Sequence, residues 1–319
     1  MAGFLSGLLG RAPAAAATES PDTTNYDTTP CFRAPTTLTS LDTLPPPTAS
    51  EQTALDAIKS QRTSLLADLP EEPADGRARF NADKWLTEQR MILYLRANKG
   101  NGELAAKKLR ATLEWRCTYR PHAITPEDME LEGSVGKQYL NGFDNQGHPI
   151  LYMFPHRQNT KDAGEQLRWV VFTMEQAIRA MPDGVTKIAI VIDVSKYSMS
   201  QSVPLSTARE FLNILEAHYP ERLYKAFVLS PPTMFVMFYH IVAPFIDPVT
   251  KSKIAFVNLA GKKQADGKDG PWVNIGDFID RSRLQRDAGG EWDFKFDREQ
   301  YWPVLVKEYE DFVAAECRP

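Results

Sequence analysis

Most of the marks of an enzyme are missing from this sequence. No glycine-rich phosphate loop of either usual spacing and no GxSxG nucleophile elbow occurs in its 319 residues. The five histidines, His122, His148, His156, His218 and His240, are scattered without metal-ligand spacing. Three cysteines, Cys31, Cys117 and Cys317, are odd in number and far apart, which suits a reducing cytosol better than a disulfide framework. A net charge of −4 supplies no basic field, so nucleic acid is not an expected partner. The N-terminus has no basic region ahead of its short apolar portion, so no secretory signal is expected. Ala2 stands where N-myristoylation requires glycine. Phe4, Leu5, Leu8 and Leu9 share one side of a helical turn or two, a weak interfacial anchor. Four side chains bury little area, and a disordered end is the plainer reading.

An Asp193, His218, Ser230 triad can be drawn on paper for a serine hydrolase. Ser230 follows an apolar run, but Pro231 and Pro232 deny it the helix N-terminus that an oxyanion hole usually borrows. A turn serine and a capping histidine explain the residues more simply.

What is present is a run without charge, AFVLSPPTMFVMFYHIVAPFI, from Ala226 to Ile246. Its length suits a membrane span, but Pro231, Pro232 and Pro244 would break a spanning helix. The better division is a buried strand over 225–229, a Pro-Pro turn, and a helix over about 233–243 that is apolar on nearly every side. Such a helix lies deep in a core or faces something apolar that is not protein.

Residues 11–50 hold seven Pro, ten Thr and seven Ala. That composition predicts a flexible tail over 1–50, open to phosphorylation. Helical periodicity begins near Ala54, is clear over 85–97, and resumes over 103–119, where Ala106, Leu109, Leu113 and Cys117 line one side. This is a small helical lobe, 51–125. From 126 to 300 the pattern alternates. GFDNQGHP is turn chemistry, followed by a strand over 149–154, a helix over 165–181, a strand over 188–194, a helix over 204–218, the apolar run, and a strand over 253–258. A C-terminal helix closes the chain over 301–319. Alternating strands and helices predict an α/β domain with a mixed or parallel sheet.

The ordered combination of LYLRANKGNGELAAKKLRATLEWR, GFDNQGHPILY, the IVIDV strand, HYPERLYKAFVL, APFIDPVTKSKIAFV and GG-x-x-x-F…YWP resembles the CRAL-TRIO lipid-transfer family over about residues 80–260, extended to 303. Within it, GKQYLNGFDNQGHPILYMFPHRQNT is similar to the fungal phosphatidylinositol transfer proteins of the azole-tolerance branch. The resemblance implies a helical N-terminal lobe packed on a mixed or parallel-sheet lipid-binding lobe. It also implies that the uncharged helix is a gate hinged at PFIDP. A two-chain lipid of ~30 methylenes carries roughly 25 kcal/mol of transfer cost, at about 0.8 kcal/mol per CH₂, so a carrier must enclose both chains.

By position, the family's inositol-lipid motif falls on Glu221, Thr250 and Lys253. Glu221 and Lys253 are expected to pair and share the inositol hydroxyls, with Thr250 donating to the phosphate. Without the resemblance, a structural ion pair and a turn threonine would be the preferred reading. Lys99 matches a basic residue of the family, and Asn98 stands where its best-known members carry arginine. Arg96 is better read as a structural arginine between lobes. Pocket floor and gate are expected from Ile188, Ile190, Ile192, Leu215, Met234, Phe235, Met237, Phe238, Ile241 and Phe245. Phosphatidylcholine-binding members carry small hydroxyl residues where this chain has Ile188, Ile190 and Leu215. That predicts a second ligand such as a sterol in place of phosphatidylcholine.

The expected protein is therefore a non-enzyme without cofactor or metal. It would bind phosphatidylinositol, work in the cytoplasm, and attach peripherally to ER-derived membranes or lipid droplets. The competing classes are a lipid sensor that regulates phosphoinositide synthesis by protein contact, and the Ser230 hydrolase.

Overall fold

The computed structural model describes residues 26–196, 205–259 and 272–317. The apolar positions Phe4, Leu5, Leu8 and Leu9 lie outside the described residues.

The first helices are α1 (Ala49–Ser60), α2 (Arg62–Leu66), α3 (Ala82–Trp85), α4 (Glu88–Ala97) and α5 (Gly102–Tyr119). Each long one starts on a side-chain cap. Thr48 and Glu51 form a reciprocal capping box on α1, Thr87 caps α4 and Asn101 caps α5. Their apolar faces enclose a separate core that includes Leu55, Ile58, Met91, Leu95, Leu109 and Leu113. Arg96 is structural, as read, but it ties α4 to the start of α1. Its Nε pairs with Glu51 at 2.8 Å and its Nη2 donates to the carbonyl of Pro45.

The remainder comprises α6 (Glu130–Gly133), β1 (Gln138–Phe143), β2 (Pro149–Met153), α7 (Ala163–Arg179), β3 (Ile188–Asp193), α8 (Leu205–His218), β4 (Leu223–Leu229), α9 (Thr233–Val242), α10 (Pro248–Ser252), β5 (Ile254–Val257) and α11 (Arg298–Glu316). The five strands run in the order β1-β2-β3-β4-β5. β1 and β2 are antiparallel, and the other three pairings are parallel. Helices α7, α8 and α9–α10 make the crossovers, so the central strands are covered on both faces and read as near-continuous apolar runs. One face, including Tyr152, Val191, Phe227 and Ala255, belongs to the large core with Phe294 and Tyr301. On the other, Val228 and Phe256 pack against Phe235 and Tyr239 of α9.

Two expectations need correction. The turn expected over GFDNQGHP loses Gly142 and Phe143 to β1, a strand that the sequence pattern did not assign. All six of its positions are buried. Gln138 donates to Thr173 of α7. Gly142 takes a φ of +75° where the β1–β2 register shifts, as a bulge does. The second correction concerns the flexible tail over 1–50, because residues 26–48 form a strap across the body. The Cys31 N–H donates to Asn141 Oδ1 at 2.8 Å, and the Gly142 N–H donates to the Cys31 carbonyl at 2.9 Å. Phe32 is buried edge-on against Tyr301 at 5.2 Å. Asp42 accepts from Lys187 Nζ at 2.8 Å and sits 3.1 Å from His148 Nε2. The strap covers the open edge of β1, so edge hydrogen bonds order a segment whose composition could not build a core by itself.

Candidate functional site

The short helix α10 begins at Asp247, whose Oδ1 accepts the N–H groups of both Val249 and Thr250 at 2.9 Å. Pro248 occupies the first helical position, where its missing N–H costs nothing. These bonds and the nearby Lys253 hold the Asp247 carboxyl below its ordinary range, although burial acts to raise it. The sequence reading placed Asp247 in a hinge and gave it no role at the site. The Asp-Pro start of a helix is the signal that could have found it.

Lys253 caps the far end of α10, and its carbonyl accepts the Ala226 N–H from β4 at 3.0 Å. Glu221 lies in the turn between α8 and β4 with φ +57°, the left-handed region. For a residue with a Cβ this costs roughly 1–2 kcal/mol. The turn brings Glu221 Oε2 to 3.6 Å from Lys253 Nζ, with side-chain exposures of 32% and 22%. At that separation the pair attracts without forming a tight hydrogen bond. An ammonium, a carboxylate and, three residues before the lysine, a threonine hydroxyl can together serve a polyol phosphate.

Asn98 and Lys99 form no hydrogen bond or ion pair with this group. Asn98 is buried at the end of α4, and its Nδ2 donates to the Tyr94 carbonyl at 2.7 Å. Lys99 is exposed with φ +53°.

The expected pocket residues divide by environment. Ile188 is fully buried in the large core, and Ile190 and Leu215 pack partly buried against it. Ile192 belongs with Val228, Phe256, Phe235 and Tyr239 beneath α9. In α9, Phe235 and Phe238 are half-buried, whereas Met234, Met237 and Ile241 are exposed, as is Phe245 after it. All four were expected as pocket or gate residues; Met234, Met237 and Ile241 form the outer side of the helix, and Phe245 extends it in the turn that follows. The reading of α9 as apolar all round is correct in composition, but it lies at the surface with Val236 as its one buried residue. Among the described residues, five of the ten exposed large hydrophobic side chains, Val249 included, fall within residues 234–249, so the patch is concentrated here. A cleft of about 320 Å³, lined by Arg209, Leu212 and Asn213 of α8 and by Phe245, opens beside it. The Arg209 guanidinium stands 3.9 Å from the centre of the Phe245 ring.

The hydrolase triad is not assembled. His218 is 3.0 Å from the Thr112 hydroxyl and stacks on Trp115 at 4.0 Å. Asp193 accepts the Ser195 N–H, and Ser230 accepts the Leu259 N–H. No group of three or more His, Cys, Asp or Glu among the described residues could hold a metal. No helix among them is long and apolar enough to cross a membrane.

The comparisons agree with this architecture. Residues 133–290 match the CRAL/TRIO domain, and this region of the chain belongs to that family. The phosphatidylinositol transfer protein PDR17 of Saccharomyces cerevisiae is 36% identical over 239 residues, 71% of this chain and 64% of that protein. A CRAL-TRIO domain-containing protein of Schizosaccharomyces pombe is 35% identical over 223 residues, 70% of this chain and 21% of that protein. The chain thus spans about a fifth of one relative's length and just under two thirds of the other's. The crystal structure of Sfh5 aligns with a TM-score of 0.57 at 15% identity, covering 84% of this chain and 99% of that one, a likeness of fold.

Proposed function

We propose that this protein binds one phosphatidylinositol molecule between the sheet and α8–α9, and exchanges or presents it at membranes without covalent chemistry. The observation that carries the reading is the approach of Glu221 to within 3.6 Å of Lys253, two residues that flank the exposed apolar helix in sequence, with Thr250 three residues before the lysine in α10. The family and the named function of one relative support it. Glu221 and Lys253 would share the inositol hydroxyls, and Thr250 would donate to the phosphate. A cleft of about 320 Å³ is small for two acyl chains, so loading would require α9 to lift from Phe256, where Tyr239 now rests at 5.5 Å. The exposed stripe would then meet lipid as α9 opens. Residence would be cytoplasmic, on ER-derived membranes or lipid droplets.

The aliphatic floor argues for a sterol over phosphatidylcholine as second ligand. A phosphate set against Ile188, Ile190 and Leu215 would lack partners, at a cost of roughly 2–7 kcal/mol. Equal vesicle-to-vesicle transfer of phosphatidylcholine and phosphatidylinositol by the purified protein would overturn that preference.

Mass spectrometry of co-purifying lipids, wild type against Lys253→Ala, tests the main reading. Inositol lipid is expected in the wild type and depleted in the variant. A wild type without inositol lipid, or a variant with unchanged content, would reject the site.

A further inference from the structure

Between the helical lobe and the sheet lies a buried cluster of cations that the proposed lipid function does not use. Arg90 of α4, Arg116 of α5 and Arg222, just before β4, converge on a cavity of about 20 Å³. Glu175 of α7 is the one carboxylate among the described residues that line it. Its oxygens are already committed. Oε1 accepts from Arg116 Nη1 at 2.8 Å and from the Tyr219 hydroxyl at 2.7 Å, and Oε2 accepts from Arg116 Nη2 at 3.0 Å. Glu175 is therefore bonded to Arg116 and acts on Arg90 and Arg222 only through space, one negative charge shared among three guanidinium groups. Arg90 donates to the Trp85 carbonyl at 2.6 Å, and Arg222 donates to the Thr186 carbonyl at 2.9 Å. Both keep their charge against neutral partners.

Two further observations point into the cavity. Arg116 is 3% exposed, yet its Nε has no hydrogen-bond partner. Burial pushes Arg90 and Arg222 down to about 10, the neighbouring Arg116 cation adds to the effect, and Glu175 offsets it only in part, as expected where three buried cations share one carboxylate. The other nearby carboxylates are engaged elsewhere. Glu72 pairs with Arg120 and His122, and Glu316 is half exposed beside Lys84.

We propose that this cavity is a binding site for a small monatomic anion of the chloride class, held by Arg90, Arg116 and Arg222 at the junction of the two lobes. The size selects the ligand. A water-sized particle needs roughly 10–15 Å³ of such volume, so the space admits one particle of that order and excludes phosphate or a lipid head group. The charge separates anion from water, because three buried guanidinium groups that share one carboxylate leave an excess of positive charge, and an anion offsets its cost. The chemistry also matches, since guanidinium is a weakly hydrated cation suited to buried ion pairs. The bound ion would fasten the lobes together by mass action, since it favours the folded state that builds the cavity.

The test uses the full chain in sodium gluconate, exchanged stepwise for sodium chloride or bromide at constant ionic strength, with thermal unfolding as the readout. The midpoint is expected to rise by about 2 °C or more and to saturate. Arg90→Gln and Arg222→Met are each expected to abolish the halide-dependent rise. Sulfate, too large for the cavity, should not reproduce it. Equal midpoints in chloride and gluconate, or a rise that survives in both variants, would overturn the proposal. If a variant fails to fold, wild-type crystals grown in bromide decide the question. An anomalous peak among the three arginines supports the site, and a peak absent there means that water fills it.

Discussion

The stripe on α9 and its extension makes the strongest quantitative demand on the lipid-exchange reading. Met237 and Ile241 are 65% and 59% exposed, so most of their apolar area has no protein partner. Full burial of such a side chain is worth about 1.5–3 kcal/mol, and the uncovered fraction corresponds to about 1–2 kcal/mol each. Met237→Ser with Ile241→Ser should therefore weaken adsorption to neutral vesicles by about 2–4 kcal/mol, roughly thirty- to several-hundred-fold in partition coefficient. Neither side chain is in the core, so the unfolding midpoint should stay close to that of the wild type. Co-sedimentation with sucrose-loaded vesicles measures the partition, and thermal unfolding provides the control. Because the term is apolar, the wild-type partition should change little with salt. A loss under three-fold at an unchanged midpoint would refute the idea that this face enters the bilayer.

Other outcomes follow from the strap and the buried polar network. Phe32→Ala should loosen residues 26–48 and lower stability by up to about 3–5 kcal/mol, less if the segment relaxes. Limited proteolysis should then cut within 26–48, and an unchanged digest would contradict the strap's dependence on Phe32. Glu175→Gln should cost about 3–5 kcal/mol in denaturant unfolding, because Arg116 would be left buried without its charge partner. Burial acts to raise the Glu175 carboxyl, but Arg116 outweighs it and holds the group at about 2. A depressed carboxyl stabilises fully above its unfolded value near 4.5, and that contribution is lost as pH falls toward 2. The wild type should lose stability across that window, and Glu175→Gln should flatten the slope there. His218 is held at about 4, chiefly by burial and then by Arg116. Its neutral form is favoured in the fold, so stability should also fall as pH drops from 6.5 to 4. His218→Gln should remove part of that slope but not all, since burial lowers His122 and His156 as well.

Much of the architecture was legible because it is written in local periodicity and capping. Thr48, Asn101 and Asp162 start their helices with side-chain hydrogen bonds that depend only on neighbours in sequence. The runs at Ile188–Asp193 and Leu223–Leu229 read as strands because a parallel sheet covered on both faces leaves few polar positions. Pro231 and Pro232 likewise separate β4 from α9 by removing backbone donors.

Other features depend on contacts between distant segments, which no local window contains. β1 is a strand because Cys31, Thr173 and Tyr301 satisfy its polar groups from three directions. The strap is ordered because the sheet leaves an edge and His148 and Lys187 await Asp42. Glu221 and Lys253 were singled out by resemblance alone. Thirty-two positions separate them, and their approach to 3.6 Å depends on a strained turn and on the β4–β5 pairing. Composition alone determined that α9 is uncharged and apolar on nearly every side. The packing of Phe235 and Tyr239 onto Val228 and Phe256 decided which side faces outward, because a helix without charge, with only Thr233 and His240 as polar residues on its exposed side, carries a weak signal of orientation in its own sequence.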